Sequence, residues 1–330
     1  MSEPFTQPLK ILTPYKVIQQ DNWLGENPVN IQHATTLPEI VSSLPGTDVF
    51  ISLSFTQEMT EAADSLQLIQ CAGAGSEQID LTAVPSGCQV AIVYGHESAV
   101  AEWVIMVMIA LNRDLIKANR DVREANWELG IFRHTSPQEL SEQTLGIIGL
   151  GHIGRQTAIY ASALGMNVLT ATRTIPNEEE TRKLGVTLAL GMDGLARILT
   201  ESDFVLLSIP LLETTTGIIG EKELAMMKPS SCLVNAGRAG LVDEEALFNS
   251  LKNKQIKGAA LDVWYHEPTT PTDKPMPSDF PFGELDNVLM TPHLASMTTG
   301  MLHKRMKLVA DNIDRLARGE PLENVVYVGK

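Results

Sequence analysis

Cysteine is scarce in this 330-residue chain: Cys71, Cys88 and Cys232 are the only three. An odd number at these spacings fits neither a disulfide framework nor a zinc site, so reduced thiols in a cytoplasmic protein are expected. Basic residues are outnumbered, 25 Lys+Arg against 40 Asp+Glu, which leaves a net charge of -15. That balance argues against nucleic acid or an anionic membrane as a partner. Long apolar runs are missing as well. The longest, Trp103 to Leu111, falls far short of the ~20 residues that span a bilayer. The opening Met1-Ser2-Glu3-Pro4 has neither a basic start nor an apolar core, so no secretory leader is expected. No G-x-S-x-G elbow, Walker loop, H-E-x-x-H pair or C-x-x-C occurs, which leaves hydrolase, NTPase and metal-site readings without support. An acidic protein can still hold an anion, but only through a local positive site that the rest of the sequence must supply.

What is present is an alternation of short apolar runs with polar or helical stretches, the pattern of an α/β layer architecture. Strands are expected over 10–12, 48–54, 66–71 and 88–93, followed by one helix from 98 to about 118 that is apolar on nearly every side. A helix of that kind is buried, as a connection between two domains would be. A second series starts at 144–148 and continues at 166–172, 186–190, 204–209, 232–235, 258–263 and 288–290. Asp243-Glu244-Glu245 gives one intervening helix an acidic start that suits the helix dipole. A last helix runs over 299–318 and stops at Gly319, with Pro321 beyond. The Pro-rich stretch 267–281 is the longest loop, and loops of that length are often functional.

Gly149-Leu150-Gly151-His152-Ile153-Gly154 matches G-x-G-x-x-G, with a strand before it and a helix after it. Glycines there let the backbone turn tightly and approach a pyrophosphate seated on the N–H groups of the helix start. An acid that would hold the ribose hydroxyls of NAD is expected ~20 residues on. The second strand ends instead in Thr172-Arg173-Thr174, and no acid appears before Glu178. Arg173 can pair with the extra phosphate of NADP and the threonines can donate to it, so NADP is preferred, with NAD as the other candidate.

Three segments close strands in the second half: Val234-Asn235-Ala236-Gly237-Arg238, Leu261-Asp262-Val263-Trp264-Tyr265-His266-Glu267-Pro268 and Thr291-Pro292-His293-Leu294-Ala295-Ser296. With Gly73-Ala74-Gly75-Ser76-Glu77-Gln78-Ile79-Asp80, Val100-Ala101-Glu102 and Pro210-Leu211, they make almost the whole chain resemble the D-isomer-specific 2-hydroxyacid dehydrogenase family. The resemblance implies that His293 is the general acid/base, Glu267 its carboxylate partner and Arg238 the substrate-binding arginine. It puts Ala74 and Gly75 where backbone N–H groups hold the substrate carboxylate. Val100, Ile209, Pro210, Thr215, Ala236, Gly237, Asp262 and Ala295 fall at cofactor-side positions, Asp262 near the nicotinamide.

The chemistry of these residue types points the same way. Reduction of a 2-oxo acid builds negative charge on the carbonyl oxygen; a protonated imidazole supplies the proton, and an adjacent carboxylate favours that protonated form. A guanidinium fork suits the carboxylate and polarises the carbonyl. Arg238 is thus the positive spot that an anionic substrate requires. His266 is read as a solvated neighbour of Glu267. Departures from the family pattern also speak. Ala239 stands before Gly240 where the family often has Gly, and Glu77 replaces a frequent Asp. Formate-oxidising relatives have Gln at the Glu267 position and phosphite-oxidising relatives Lys at the Ala74 position, so a 2-oxo or 2-hydroxy carboxylate remains.

The expected fold is α/β with two Rossmann-like domains. A doubly wound parallel-sheet dinucleotide-binding domain, 99–297, is inserted in a smaller flavodoxin-like substrate domain, 1–98 and 298–330. Substrate is expected in the cleft, with closure of the domains excluding water and residues near Phe55 and Ser76 lining the side-chain pocket. The resemblance further implies a homodimer formed through the cofactor domain, with 121–137 as an arm across the interface. The expected activity is NADPH-dependent reduction of glyoxylate or hydroxypyruvate. The alternative is a dinucleotide-sensing binding protein like the family's corepressors, which would bind cofactor without turnover.

Overall fold

A computed structural model describes residues 7–19, 22–130, 136–268 and 273–330. The chain divides into two compact units, Met1–His96 with Thr298–Lys330, and Glu97–Met297. In chain order, unit 1 begins with β1 (Leu9–Thr13), β2 (Val29–His33), α1 (Leu37–Ser43), β3 (Val49–Ile51), β4 (Ser54–Phe55), α2 (Gln57–Thr60), β5 (Leu68–Gln70), β6 (Gln78–Ile79) and β7 (Gln89–Ala91). Unit 2 holds α3 (Glu97–Asn112), α4 (Leu115–Arg123), β8 (Thr144–Ile148), α5 (His152–Ala163), β9 (Asn167–Ala171), α6 (Glu178–Leu184), β10 (Leu188–Leu190) and α7 (Leu195–Glu201). It continues with β11 (Phe204–Leu207), α8 (Glu221–Met226), β12 (Cys232–Asn235), α9 (Glu244–Lys252), β13 (Gly258–Leu261) and β14 (Val288–Met290). The chain then returns to unit 1 with α10 (Thr299–Ala317) and β15 (Val325–Val328).

The unit 2 sheet runs β10-β9-β8-β11-β12-β13-β14, every pair parallel. The order reverses between β8 and β11, the switch point outside which doubly wound sheets bind ligands at their carboxyl edge. Successive residues feed opposite faces. Leu145 and Ile147 enter one core with Phe204 and Leu206, whereas Ile148 enters the other with Val205 and Leu207. Helices cover both faces, so these strands read as unbroken apolar runs. In unit 1 the order is β15-β7-β5-β3-β1-β2, parallel except for the antiparallel β15–β7 pair. Its parallel part has the flavodoxin-like order. This α/β architecture, with two doubly wound sheets, is the one the sequence implies.

Two local expectations need correction. The single helix over 98–118 is two, because Asp114 takes φ 52° and turns the chain between α3 and α4. Val29–His33 and Val325–Val328 are additional strands; both lie at sheet edges, where only part of each strand is buried. The three cysteines are buried and unpaired, and burial pushes the thiols of Cys71, Cys88 and Cys232 up to about 11, 12 and 12. Among the described residues, no helix is long and apolar enough to cross a membrane.

Candidate active site

The glycine motif bridges β8 and α5. Gly149 has φ +96°, and a Cβ there would lie 2.4 Å from Ile209 Cγ2 and 2.9 Å from the Ser208 carbonyl oxygen. A Cβ on Gly154 would strike the Gly149 carbonyl oxygen at 2.2 Å. These two glycines are therefore required by the turn and by the approach of α5 to the sheet. Gly151 differs: a side chain there would meet no protein atom within 4 Å. Packing does not ask for glycine at that position. A phosphate approaching the start of α5 does, so the loop fits a dinucleotide. His152, 57% exposed, has Nδ1 3.9 Å from Glu97 Oε1, and Ile153 packs on the core. Beyond β9, Thr172 is buried and its N–H donates to the Leu190 carbonyl, while Arg173 and Thr174 are exposed.

At the other side of the switch point, the loops after β13 and β14 meet. His293 Nδ1 lies 2.9 Å from Glu267 Oε2. That hydrogen bond lifts the imidazole above its usual pKa, against the opposing pull of burial and of the nearby Arg238 charge. Burial alone would raise Glu267, but hydrogen bonds from His293 and from the Trp264 N–H outweigh it and hold the carboxyl below its usual range. The pair is thus biased toward imidazolium and carboxylate. With Nδ1 committed to Glu267, Nε2 is the nitrogen left to exchange a proton with a ligand.

His293 itself sits at φ 52°, a left-handed conformation that costs on the order of 1–3 kcal/mol. Asp262 holds it there. This buried carboxylate accepts the Thr291 hydroxyl at 2.6 Å, the Leu294 N–H at 2.9 Å and the Ala295 N–H at 2.9 Å, and the Asp262 carbonyl accepts the His293 N–H at 2.8 Å. Hydrogen bonds to a charged group contribute about 1.5–3 kcal/mol each, enough to offset the strain. Three donors on Asp262 make it first a positioning residue; one acceptor site on Oδ2 stays available to a further donor.

Arg238 ends the β12 loop. Asn235, buried at the strand end, donates Nδ2 to the Arg238 carbonyl at 3.0 Å and accepts the Gly237 N–H at 3.1 Å, which closes the turn. The Arg238 charge is felt at both Glu267 and His293. Thr215 donates to the Pro210 carbonyl at 2.8 Å and accepts the Leu212 N–H at 2.7 Å, shaping the loop after Ile209 from within. Val100 and Ala295 are buried in the core against the sheet, and Ala236 packs at its margin. His266 is not simply solvated, because its Nε2 pairs with Asp279 at 3.1 Å. Ala74 and Gly75 belong to unit 1 and lie half-buried in the loop after β5.

The sequence model described as D-isomer specific 2-hydroxyacid dehydrogenase, NAD binding domain, matches residues 105–295. A D-3-phosphoglycerate dehydrogenase of Methanocaldococcus jannaschii is 34% identical over 303 residues, 90% of this chain and 55% of that protein. The chain belongs to the D-isomer specific 2-hydroxyacid dehydrogenase family. It is also 33% identical to a glyoxylate reductase of Korarchaeum cryptofilum over 293 residues, 87% of this chain and 85% of that one. A D-lactate dehydrogenase of Lactobacillus jensenii, solved with NAD+, superposes with a TM-score of 0.79 at 25% identity, covering 97% of this chain and 100% of that one. The chain spans about half the length of the phosphoglycerate dehydrogenase it matches.

Three members of this candidate site have no role in the sequence reading: Asn235, Trp264 and Thr291. Trp264 donates its N–H to Glu267 Oε1 at 3.1 Å and its indole N–H to the Thr291 carbonyl at 2.8 Å. All three lie within quoted motifs. Their roles depend on how the ends of β12, β13 and β14 stack, which a linear motif does not express.

Proposed function

We propose that the protein reduces small 2-oxo acids, with glyoxylate and hydroxypyruvate as leading substrates and NADPH preferred over NADH. The observation that carries this reading is the His293–Glu267 pair, 2.9 Å apart beside Arg238. Unit 2 is the cofactor unit in this reading, and unit 1 the substrate unit. A bound nicotinamide dinucleotide supplies the hydride to the carbonyl carbon. As negative charge grows on the substrate oxygen, Arg238 stabilises it and His293 passes it the Nε2 proton. Glu267 keeps that proton available near neutral pH, and Asp262 holds the loop that aims the ring.

The preference for NADPH rests on Thr172-Arg173-Thr174, where no carboxylate repels a ribose phosphate. The preference for an unphosphorylated substrate rests on the unit 1 loops, since 52–58 and 71–80 contain no Lys or Arg of their own to meet a phosphoester in addition to the carboxylate. Initial rates with NADPH and NADH against glyoxylate, hydroxypyruvate, pyruvate and 3-phosphohydroxypyruvate test both. NADPH with glyoxylate or hydroxypyruvate is expected to give the highest kcat/KM, and Arg173→Ser to narrow the NADPH advantage. Faster turnover with NADH would overturn the cofactor choice. Absence of turnover across the panel would overturn the reductase itself.

We also infer a homodimer through unit 2. Met106 and Ile109 on α3 and Ile159 on α5, with Leu164 just beyond α5, leave an apolar face exposed, which is the kind of patch that marks an interface. Of the arm over 121–137, residues 131–135 lie outside the described residues. Sedimentation velocity is expected to give twice the 36.0 kDa of one chain, and a single-chain mass would contradict it.

A further inference from the structure

Unit 1 sets a cation against its strand-end loops. Its helix α10 packs across the sheet through Val309, Ile313, Leu316 and Ala317, against Val49, Ile51, Leu68 and Ala91. The register of that helix is fixed by Asn312, which donates Nδ2 to Gln70 Oε1 at 2.7 Å, at the end of β5. Arg305 lies about two turns nearer the helix start, ~10 Å along the axis, and so stands beyond the carboxyl ends of the strands. Two glycines let it come close. Gly95, after β7, has φ +104°, and a Cβ there would sit 3.4 Å from Lys304 Cβ and 3.7 Å from Arg305 Cγ. Gly73, after β5, would place a Cβ 3.8 Å from Arg305 Nη1 and 3.5 Å from Leu53 Cδ2. The guanidinium is therefore set against the Gly73-Ala74-Gly75 turn, at the edge where open α/β sheets bind ligands.

We infer that Arg305 is a substrate-binding residue that holds the carboxylate of the 2-oxo acid at the Gly73-Ala74-Gly75 turn. The inference rests on the reductase reading, which takes that turn as the carboxylate cradle. Two observations in unit 1 give it weight. The turn carries Glu77, whose charge is felt at Cys71, and a carboxylate brought there needs a cation to offset the repulsion. The neighbouring strand-end segment is neutral and held in place, because Leu53 donates its N–H to the Tyr15 hydroxyl at 3.0 Å. In this role Arg305 binds the carboxylate in the ground state and the transition state alike. Uniform binding lowers KM without raising kcat, so the role shows in KM.

The test compares wild type, Arg305→Gln and Arg305→Lys in the intact protein. The readouts are KM and kcat for glyoxylate, the same constants for its uncharged methyl ester, and the Kd of NADPH. Arg305→Gln is expected to raise KM for glyoxylate about tenfold or more. It should leave the NADPH Kd and the ester kinetics near wild type, and Arg305→Lys should recover part of the loss. An equal effect on acid and ester, or an unchanged KM for the acid, would overturn the assignment while the reductase reading stands. Isothermal titration with oxalate, an unreactive dicarboxylate analogue of glyoxylate, gives the same comparison without turnover. If wild type neither turns over 2-oxo acids nor binds oxalate, the reductase reading falls and this inference falls with it.

Discussion

The two units carry their strand-end loops differently, although both sheets are doubly wound. In unit 2, the edge after β12, β13 and β14 is a lattice of side-chain hydrogen bonds. Asp262 ties Thr291, Leu294 and Ala295, Asn235 closes the Arg238 turn, and Trp264 supports Glu267. Charges are dense there and a left-handed histidine is held against its preference. In unit 1, the loops after β5 and β7 carry Gly73, Ala74, Gly75 and Gly95, and α10 sets Arg305 against Gly73. Under the proposed function the difference separates two tasks. Placing a proton donor within a fraction of an ångström needs locked side chains, whereas receiving a carboxylate needs only exposed N–H groups and a nearby positive charge.

That contrast predicts unequal consequences of mutation. The largest belongs to His293. His293→Ala is expected to lower kcat for glyoxylate about 10²–10⁴-fold while NADPH still binds, because general acid catalysis contributes that much and no other imidazole is hydrogen-bonded to Glu267 among the described residues. Steady-state rates with a fluorescence titration of NADPH check it; wild-type kcat would break the comparison at its strongest point. A smaller effect, confined to KM, is expected from the Arg305 substitutions in unit 1. If they lowered kcat as much as the His293 substitution, the division between the units would be wrong.

Much of this was legible from residues alone. Period and length give the strands of unit 2 because both faces are buried, and the glycine motif stands between a strand and a helix as expected. His293, Glu267 and Arg238 come from separate segments, and the sheet brings their loops to one edge. What escaped has a common cause. Val29–His33 is an edge strand whose polar residues face solvent, so its pattern is too weak to read. The break at Asp114 depends on a single left-handed residue inside a favourable helical composition. The resemblance implies a cofactor-side place for Asp262; that its carboxylate is engaged by the loop 29–33 residues further on is not legible from it. Contacts at that sequence separation follow from strand register and leave no local signature.

The most direct test of the account is the pH dependence of kcat/KM for glyoxylate reduction in wild type and in Glu267→Gln. His293 must be protonated to act as the acid. In wild type the rate should therefore hold at low pH and fall as pH rises through a His293 pKa that Glu267 has raised. Removing the carboxylate's charge lowers that pKa, so the fall should move to lower pH in Glu267→Gln. Superimposable profiles, or a shift to higher pH, would contradict the claim that this pair supplies the proton.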